Sequence, residues 1–452
     1  MFFASPKQDR TKDARISVRR KAITLAVMTQ PRRLSPADRK IARDFMAFVQ
    51  ASPTPHHCVA ESMTRLEAAG FSASAPKPGK KSSGFQAREG SLVAWRTSSK
   101  KGPVRVVTAH TDSPNLRIKP QPDGVSAGTR QLGVEVYGGV LLNSWLDRDL
   151  GIAGQVIARA PKNGGVVSHL VNIDRPVLRI PQLAIHLDRE INTKGLQLNK
   201  QQHMAPMWGL APTSDDGDSD EATELKQLMG SHLEIDPDDI LSFQLMTHDV
   251  VPPAFGGWHD EFIASPRIDN QLSCWASLEA LIEADGPGTQ IVALFDHEEV
   301  GSTSATGADS ALLADALDQL VAQPPEGSLC ISADCAHATH PNYADRHEPD
   351  HHIALNGGPV IKVNANQRYA TSPVGHALFA DACNQADVPH QVFVTRTDMA
   401  CGSTVGPVTA ARTGLDTVDI GAPQLAMHSV REMTGSKDPS MLRSALCAAI
   451  VG

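Results

Sequence analysis

Five short stretches concentrate side chains able to bind a cation or move a proton. They read Thr108-Ala109-His110-Thr111-Asp112-Ser113-Pro114, Ser265-Pro266-Arg267-Ile268-Asp269-Asn270, Asp296-His297-Glu298-Glu299-Val300-Gly301-Ser302, Ser332-Ala333-Asp334-Cys335-Ala336-His337-Ala338 and Gln424-Leu425-Ala426-Met427-His428-Ser429. The donors are imidazole nitrogens and carboxylate oxygens, and no Cys-x-x-Cys pair exists. Such a set suits zinc, cobalt or manganese and disfavours iron–sulfur clusters or copper(I). Five ligands hold two divalent ions if one carboxylate bridges. His110 and Asp334 are assigned to one ion, Glu299 and His428 to the other, with Asp269 shared because a carboxylate has two oxygens to offer. Asp112 is expected to hold the His110 imidazole in its ligating tautomer. Glu298-Glu299 is the sharpest local signal, since adjacent carboxylates repel unless cations or protons intervene. With Glu299 on a metal, Glu298 can serve as general base on a metal-held water and then as acid for a leaving amine. That is the chemistry of peptide-bond hydrolysis.

Taken singly, these residues have ordinary readings. Asp269 and Asp334 could each cap a helix, and an isolated histidine such as His110 is more often structural. Asp345 competes with Asp334, which is preferred because it ends a predicted strand. His340, His347, His351 and His352 cluster locally and read as a polar loop. Ser403 and Cys401 have no evident neighbouring base, so Cys401-Gly402-Ser403 reads as the approach to a helix.

An α/β rhythm must position the donors. Ser35 and Pro36 open a helix with Ile41, Phe45, Phe48 and Val49 on one face. Ser72 to Gly84 reads as a surface loop. A buried strand runs from Val104 to Ala109 and ends at His110. Between Asp112 and Val251, short Val- and Gly-rich runs replace helical periodicity, so a β-rich insertion is expected there. Asp215, Asp216, Asp218, Asp220 and Glu221 within it read as a solvated acidic loop. After Pro252-Pro253, a helix follows Asp269-Asn270. Strands are then predicted at Gln290 to Phe295, Leu329 to Ala333, Pro359 to Val363, Gln391 to Val394 and Thr417 to Ile420, with helical stretches between them such as Val374 to Asn384. The fold class is α/β, with a mostly parallel central sheet flanked by helices. The predicted divisions are an N-terminal extension at 1–34, expected to be disordered, a first catalytic part at 35–112, the β-rich insertion at 113–251 and a second catalytic part at 252–452. In such sheets, ligands bind at the carboxyl ends of strands, where His110, the Glu298-Glu299 pair and Asp334 are predicted to fall.

Composition excludes several classes. The chain has 452 residues, too many for one core. With 41% apolar residues it is not disordered overall, and a net charge of -8 from 42 basic and 50 acidic residues argues against a nucleic-acid partner. No apolar run is long enough to span a bilayer. Seven scattered cysteines point to a reducing compartment, and the run from Arg19 to Met28 makes a poor signal peptide; the expected location is the cytoplasm.

Together the five stretches, in this order, resemble the signature blocks of the aspartyl aminopeptidase family, over about residues 36–432. The resemblance implies two divalent ions per chain, zinc with cobalt or manganese as alternatives, held by His110, Asp269, Glu299, Asp334 and His428, with Glu298 as the acid/base. It implies substrate contacts from His337, Lys362 and Tyr369. It also implies that His186, in Leu183-Ala184-Ile185-His186-Leu187, reaches from the insertion into a neighbouring subunit's site to stabilise an oxyanion. The family preference is for peptides with N-terminal Asp or Glu, and its assembly is a homo-dodecamer built from dimers, which makes the insertion a dimerisation domain. Lys362 gives the acidic preference a physical basis: a lone cation in the apolar run Val360-Ile361-Lys362-Val363 needs a partner, either a substrate carboxylate or an internal one. Three other functions compete. A two-metal carboxypeptidase or deacylase would keep the chemistry and change the substrate. A mononuclear iron(II) oxygenase would use His110, Asp112 and His428. A non-catalytic scaffold would need none of these residues.

Overall fold

The computed structural model describes residues 34–75, 81–160, 164–211, 224–321 and 323–452. The basic N-terminal stretch and the acidic loop at 215–221 lie outside them. The first helix is Pro36–Ala51; the Ser35 hydroxyl accepts the Asp38 N–H at 3.0 Å, and Ala42, Phe45, Phe48 and Val49 are buried. The segment expected to be a loop between Ser72 and Gly84 instead contributes Ser72–Ala73, an edge strand, and the start of Ser82–Arg88, which runs parallel to it; their polar composition concealed them.

Among the described residues, nine strands form the central sheet. Their order is Ser72–Ala73, Ser82–Arg88, Ser91–Thr97, Thr289–Phe295, Val104–His110, Leu329–Ala333, Asp416–Gly421, Val360–Val363 and Gln391–Val394. Val104–His110 lies at its heart. Its neighbours Thr289–Phe295 and Leu329–Ala333 both run parallel to it, and every residue of the three is buried. Full burial on both faces explains why these runs are continuously apolar rather than alternating. Val107, Val292 and Leu294 pack with Phe45, Trp275 and Leu446 from the helices Pro36–Ala51, Ile268–Glu283 and Asp438–Val451. The alternate residues Val106, Ile291 and Ala293 pack with Leu313, Leu317 and Val405 from the helices Leu312–Leu320 and Val405–Thr413.

Among the described residues, the β-rich stretch inserted after His110 forms a second, antiparallel sheet of six strands, in the order Val166–Leu178, Leu150–Arg159, Ile240–Asp249, Asn115–Ser126, Thr129–Tyr137 and Met207–Leu210. It has its own core, including Leu116, Ile152, Val156 and Leu245. A third sheet was not expected. It contains Ala254–Gly256, Phe262–Ser265, Glu432–Gly435, Pro423–Leu425 and Ala336–His337. Strands of two to four residues are too short to print a period of two on the sequence, and Pro423 to Leu425 had the texture of a loop. No helix among the described residues is long and apolar enough to cross a membrane.

Candidate metal centre and active site

The sheet register brings three donors to one edge. Phe295 pairs with His110, and Ser332 with Thr108, so three parallel strands end at nearly the same level. Past those ends come His110 itself, the short 3-10 turn Glu298–Val300 and Asp334. Asp269 sits at the start of Ile268–Glu283, just after the third-sheet strand Phe262–Ser265, and its peptide bond to Asn270 is cis. His428 occupies the turn between the third-sheet strands Pro423–Leu425 and Glu432–Gly435.

These five residues form two linked groups. His110 Nε2 lies 3.4 Å from Asp269 Oδ1 and 3.4 Å from Asp334 Oδ1. His428 Nε2 lies 3.4 Å from Asp269 Oδ2 and 3.3 Å from Glu299 Oε1. The two oxygens of Asp269 thus face two different imidazoles. Ligands each about 2.0–2.1 Å from a tetrahedral zinc stand roughly 3.3 Å apart, so the spacings match pairs of donors to a common ion. His110, Asp269 and Asp334 form one group that could hold a cation, and Asp269, Glu299 and His428 another. A further group, His110, Glu298 and Glu299, overlaps both.

The imidazoles are oriented for this. His110 Nδ1 is 3.0 Å from the main-chain carbonyl of Asp112, and His428 Nδ1 is 3.1 Å from that of Gly139. A carbonyl only accepts, so each Nδ1 carries the proton and each Nε2 offers its lone pair to the centre. The Asp112 carboxylate, 3.4 Å from His110 Nδ1 at its nearer oxygen, has its own partners. It accepts the N–H groups of Glu298 and Glu299 at 3.1 Å each and the Tyr137 hydroxyl at 2.7 Å. It therefore fixes the acidic turn as well as flanking the histidine.

Electrostatics mark the cluster as short of positive charge. Burial opposes a high pKa at His110, but Asp112, Asp269 and Asp334 outweigh it and hold the imidazole well above its usual value. Burial likewise opposes the rise at His428, yet Asp269 and Glu299 push it up to about 11. Burial, reinforced by Asp334, Glu299 and Asp112, holds Glu298 well above the carboxylate range. Burial and the charge of Asp269 push Glu299 up to about 7 against the pull of His428. Asp269 itself is lowered; burial works against this, and the two histidines prevail. Without cations the cluster keeps protons where ions would sit. Asp269 Oδ1 and Glu299 Oε1 are buried with no hydrogen-bond partner, a cost of about 1–3 kcal/mol each unless something else meets them. The donor set, its spacing and its orphaned oxygens all fit divalent metal.

The centre opens into a cavity of about 610 Å³ whose wall includes Glu298, His337, Lys362, Arg368, Tyr369 and Ser403. Lys362 is 2% exposed and has internal partners: its Nζ lies 3.6 Å from Asp334 Oδ2, donates to the Cys335 carbonyl at 3.2 Å, and sits 5.1 Å from the Tyr369 ring centre. His186 does not line this cavity; it lies on an exposed turn between the exposed apolar side chains Leu183, Ile185 and Leu187. Asp345 lies on an exposed turn away from the centre. His340, His347, His351 and His352 belong to none of the cation-binding groups found among the described residues; His347 accepts the His340 N–H, and His351 pairs with Glu348. The Ser403 hydroxyl donates to the Arg368 carbonyl, and a helix begins at Val405.

Sequence reasoning missed three contributors. Tyr137 and Gly139, from the end of a second-sheet strand, touch Asp112 and His428. A Cβ on Gly139 would come within 3.0 Å of His428 Nδ1, so the missing side chain is part of the fit; the Tyr137-Gly138-Gly139 run was the available signal. Glu432 accepts the main-chain N–H groups of Asp269 and His428, and nothing in its local sequence announces this.

Comparison with known proteins resolves the class. The family model described as aminopeptidase I zinc metalloprotease (M18) matches residues 48–448. The chain belongs to the M18 family. It is thus a metal-dependent aminopeptidase of the zinc metalloprotease class. The probable M18 family aminopeptidase 2 of Streptomyces coelicolor is 48% identical over 91% of this chain and 98% of its own. The matched chain in a cryo-EM structure of an Ape4 and Nbr1 complex is 38% identical, with a TM-score of 0.86 over 93% of this chain and 87% of that one. The mApe1 dodecamer of S. cerevisiae is 26% identical, with a TM-score of 0.77 over 91% of this chain and 96% of that one. M18 membership sets aside the iron oxygenase, carboxypeptidase and scaffold readings.

Proposed function

We propose that this M18 enzyme releases N-terminal residues, preferentially Asp or Glu, by a two-metal mechanism. The supporting observation is the run of four 3.3–3.4 Å contacts linking His110 and Asp334 to His428 and Glu299 through the two oxygens of Asp269. His110 and Asp334 would hold one ion, Glu299 and His428 the other, with Asp269 shared. Two divalent ions there, zinc in the first instance, would supply a water acidified towards neutral pH and polarise the scissile carbonyl. Glu298 takes the proton from the attacking water on its carboxylate. It returns that proton to the leaving amine nitrogen as the C–N bond breaks. Glu298 lines the cavity next to the ligand cluster, where its carboxylate can serve both halves of the task. Asp112 keeps Glu298 and Glu299 in place through their N–H groups.

Acidic preference rests on the cationic wall. Lys362 and Arg368 line the cavity beside His337 and Tyr369, and with Asp334 engaged by an ion the Lys362 ammonium is left for a substrate carboxylate. The exposed apolar run around His186 suits a contact between copies of this chain. We assign His186 to a neighbouring subunit's oxyanion site, the β-rich insertion at 113–251, which lies between the two catalytic parts, to dimerisation, and the assembly to a homo-dodecamer built from dimers. The cysteines are all free, which supports the cytoplasm as the location.

Two variants test this reading. Glu298→Gln is expected to lower kcat by about 10²–10⁴-fold with both ions retained; near-wild-type turnover would contradict the assignment. Lys362→Met should cut kcat/KM for an Asp-terminated chromogenic peptide by roughly 10- to 100-fold while largely sparing a Leu-terminated one. Equal losses on both substrates would remove the basis for acidic preference.

A further inference from the structure

We infer that Glu432 is a positioning residue that holds the Asp269–His428 ligand pair together, and so governs the affinity of one ion more than the other. The inference rests on the two-metal reading above. Asp269 and His428 stand 159 positions apart in sequence and arrive on separate turns. Glu432 is 2% exposed, and each of its carboxylate oxygens takes one of their N–H groups: Oε2 accepts from Asp269 at 2.9 Å, and Oε1 from His428 at 2.7 Å. It is placed to do so by the third sheet. Glu432 pairs across the ladder with Ser265, the last residue of the strand that leads to Asp269. Its own strand also pairs with Pro423–Leu425, the strand that leads to His428.

The ligands need such a clamp. His428 has φ 67° and Ala426 φ 56°, left-handed values that side-chain-bearing residues adopt only when surroundings impose them. Arg267, two residues before Asp269, has φ 54°. The hydrogen bonds to Glu432 supply the constraint directly at both ligand residues. By contrast His110 is carried on a buried strand, and Asp334 directly follows one. Loss of Glu432 should therefore loosen the Glu299–His428 ion first.

Glutamine is the discriminating substitution. It keeps the shape but has one acceptor oxygen and one NH₂ donor, so one of the two N–H groups must face another donor. Wild type, Glu432→Gln and Glu432→Asp would be prepared metal-free and titrated with Co²⁺ and Zn²⁺ against a competing chelator, with bound metal counted per chain and melting temperatures recorded. The expected result for Glu432→Gln is one ion bound as in wild type and one weakened by roughly 10- to 100-fold, the range for residues that orient ligands, with the metal-free melting temperature close to that of wild type. Glu432→Asp, which keeps the charge but shortens the reach, should fall between the two. Wild-type affinity for both ions in the Gln variant would overturn the proposal. So would an equal loss of both ions accompanied by a lower metal-free melting temperature in both variants, because Glu432 would then serve only the fold. A wild-type chain that binds a single ion would instead refute the two-metal reading, an outcome read before any variant is compared.

Discussion

The two sides of the metal centre are built on different principles. His110 and Asp334 stand at the ends of neighbouring, fully buried parallel strands, and the His110 side chain is 1% exposed. His428 stands on a left-handed turn of a sheet of very short strands, and its side chain is 28% exposed. Strand ends are placed by the packing of the whole core, whereas the His428 turn is placed by a few hydrogen bonds to Gly139 and Glu432. Asp269 belongs to both sides, facing His110 with one oxygen and His428 with the other. Rigidity and access are thus divided across one carboxylate. On the proposed two-metal reading, the rigid side would hold its ion more firmly and the exposed side would exchange its ion with solvent.

The largest expected effect tests that division at its joint. Asp269→Asn replaces the shared carboxylate with a neutral amide that offers one acceptor. It should weaken both ions and reduce kcat/KM by at least about 10³-fold, since the acidified water depends on them. Loss of only one ion in this variant would mean that the two sides do not meet at Asp269.

The same contrast decides what was legible in the sequence. The strands at Val104–His110, Thr289–Phe295 and Leu329–Ala333 are long, continuous and apolar, so the donors at their ends could be named together. The third sheet has strands of two to four residues, one beginning with Pro423. Its residues look like loop. His428 and Asp269 were recognised as donors because of their side chains and the resemblance; the helix that Asp269 opens was expected and is present as Ile268–Glu283, while the short strands that lead to both residues were not. Glu432 and Gly139 act through main-chain groups brought together only by the fold, and no spacing of residue types encodes that. The start of Ser82–Arg88 was misjudged for a related reason: Ser82, Ser83 and Gly84 lie beside a two-residue edge strand and print no apolar alternation on the sequence.

A second test uses pH. Glu299, pushed up to about 7 by burial and by Asp269, is mostly protonated below that value in the metal-free chain. An ion on the His428 side must displace this proton and the one that His428 holds up to about 11, so apparent affinity should fall throughout as pH drops from about 8 to about 5, and more steeply below about 7, by up to roughly tenfold per pH unit for each proton displaced. Affinity measured by chelator competition whose pH slope does not steepen below about 7 would remove Glu299 from the ligand set. The smallest expected effect is kinetic. Dilute chelator should strip the loaded enzyme in two phases, a few-fold apart in rate at the least, and the faster phase should disappear when Glu299→Gln has already removed that ion. Single-phase loss would erase the distinction between a rigid and an exchangeable side.

The most direct measurement is anomalous diffraction at the zinc edge from crystals of the loaded protein. Two peaks are expected about 3.5–4 Å apart, one beside His110 and Asp334, the other beside Glu299 and His428, with an oxygen of Asp269 on each. A single peak, or two peaks that do not share Asp269, would contradict the account.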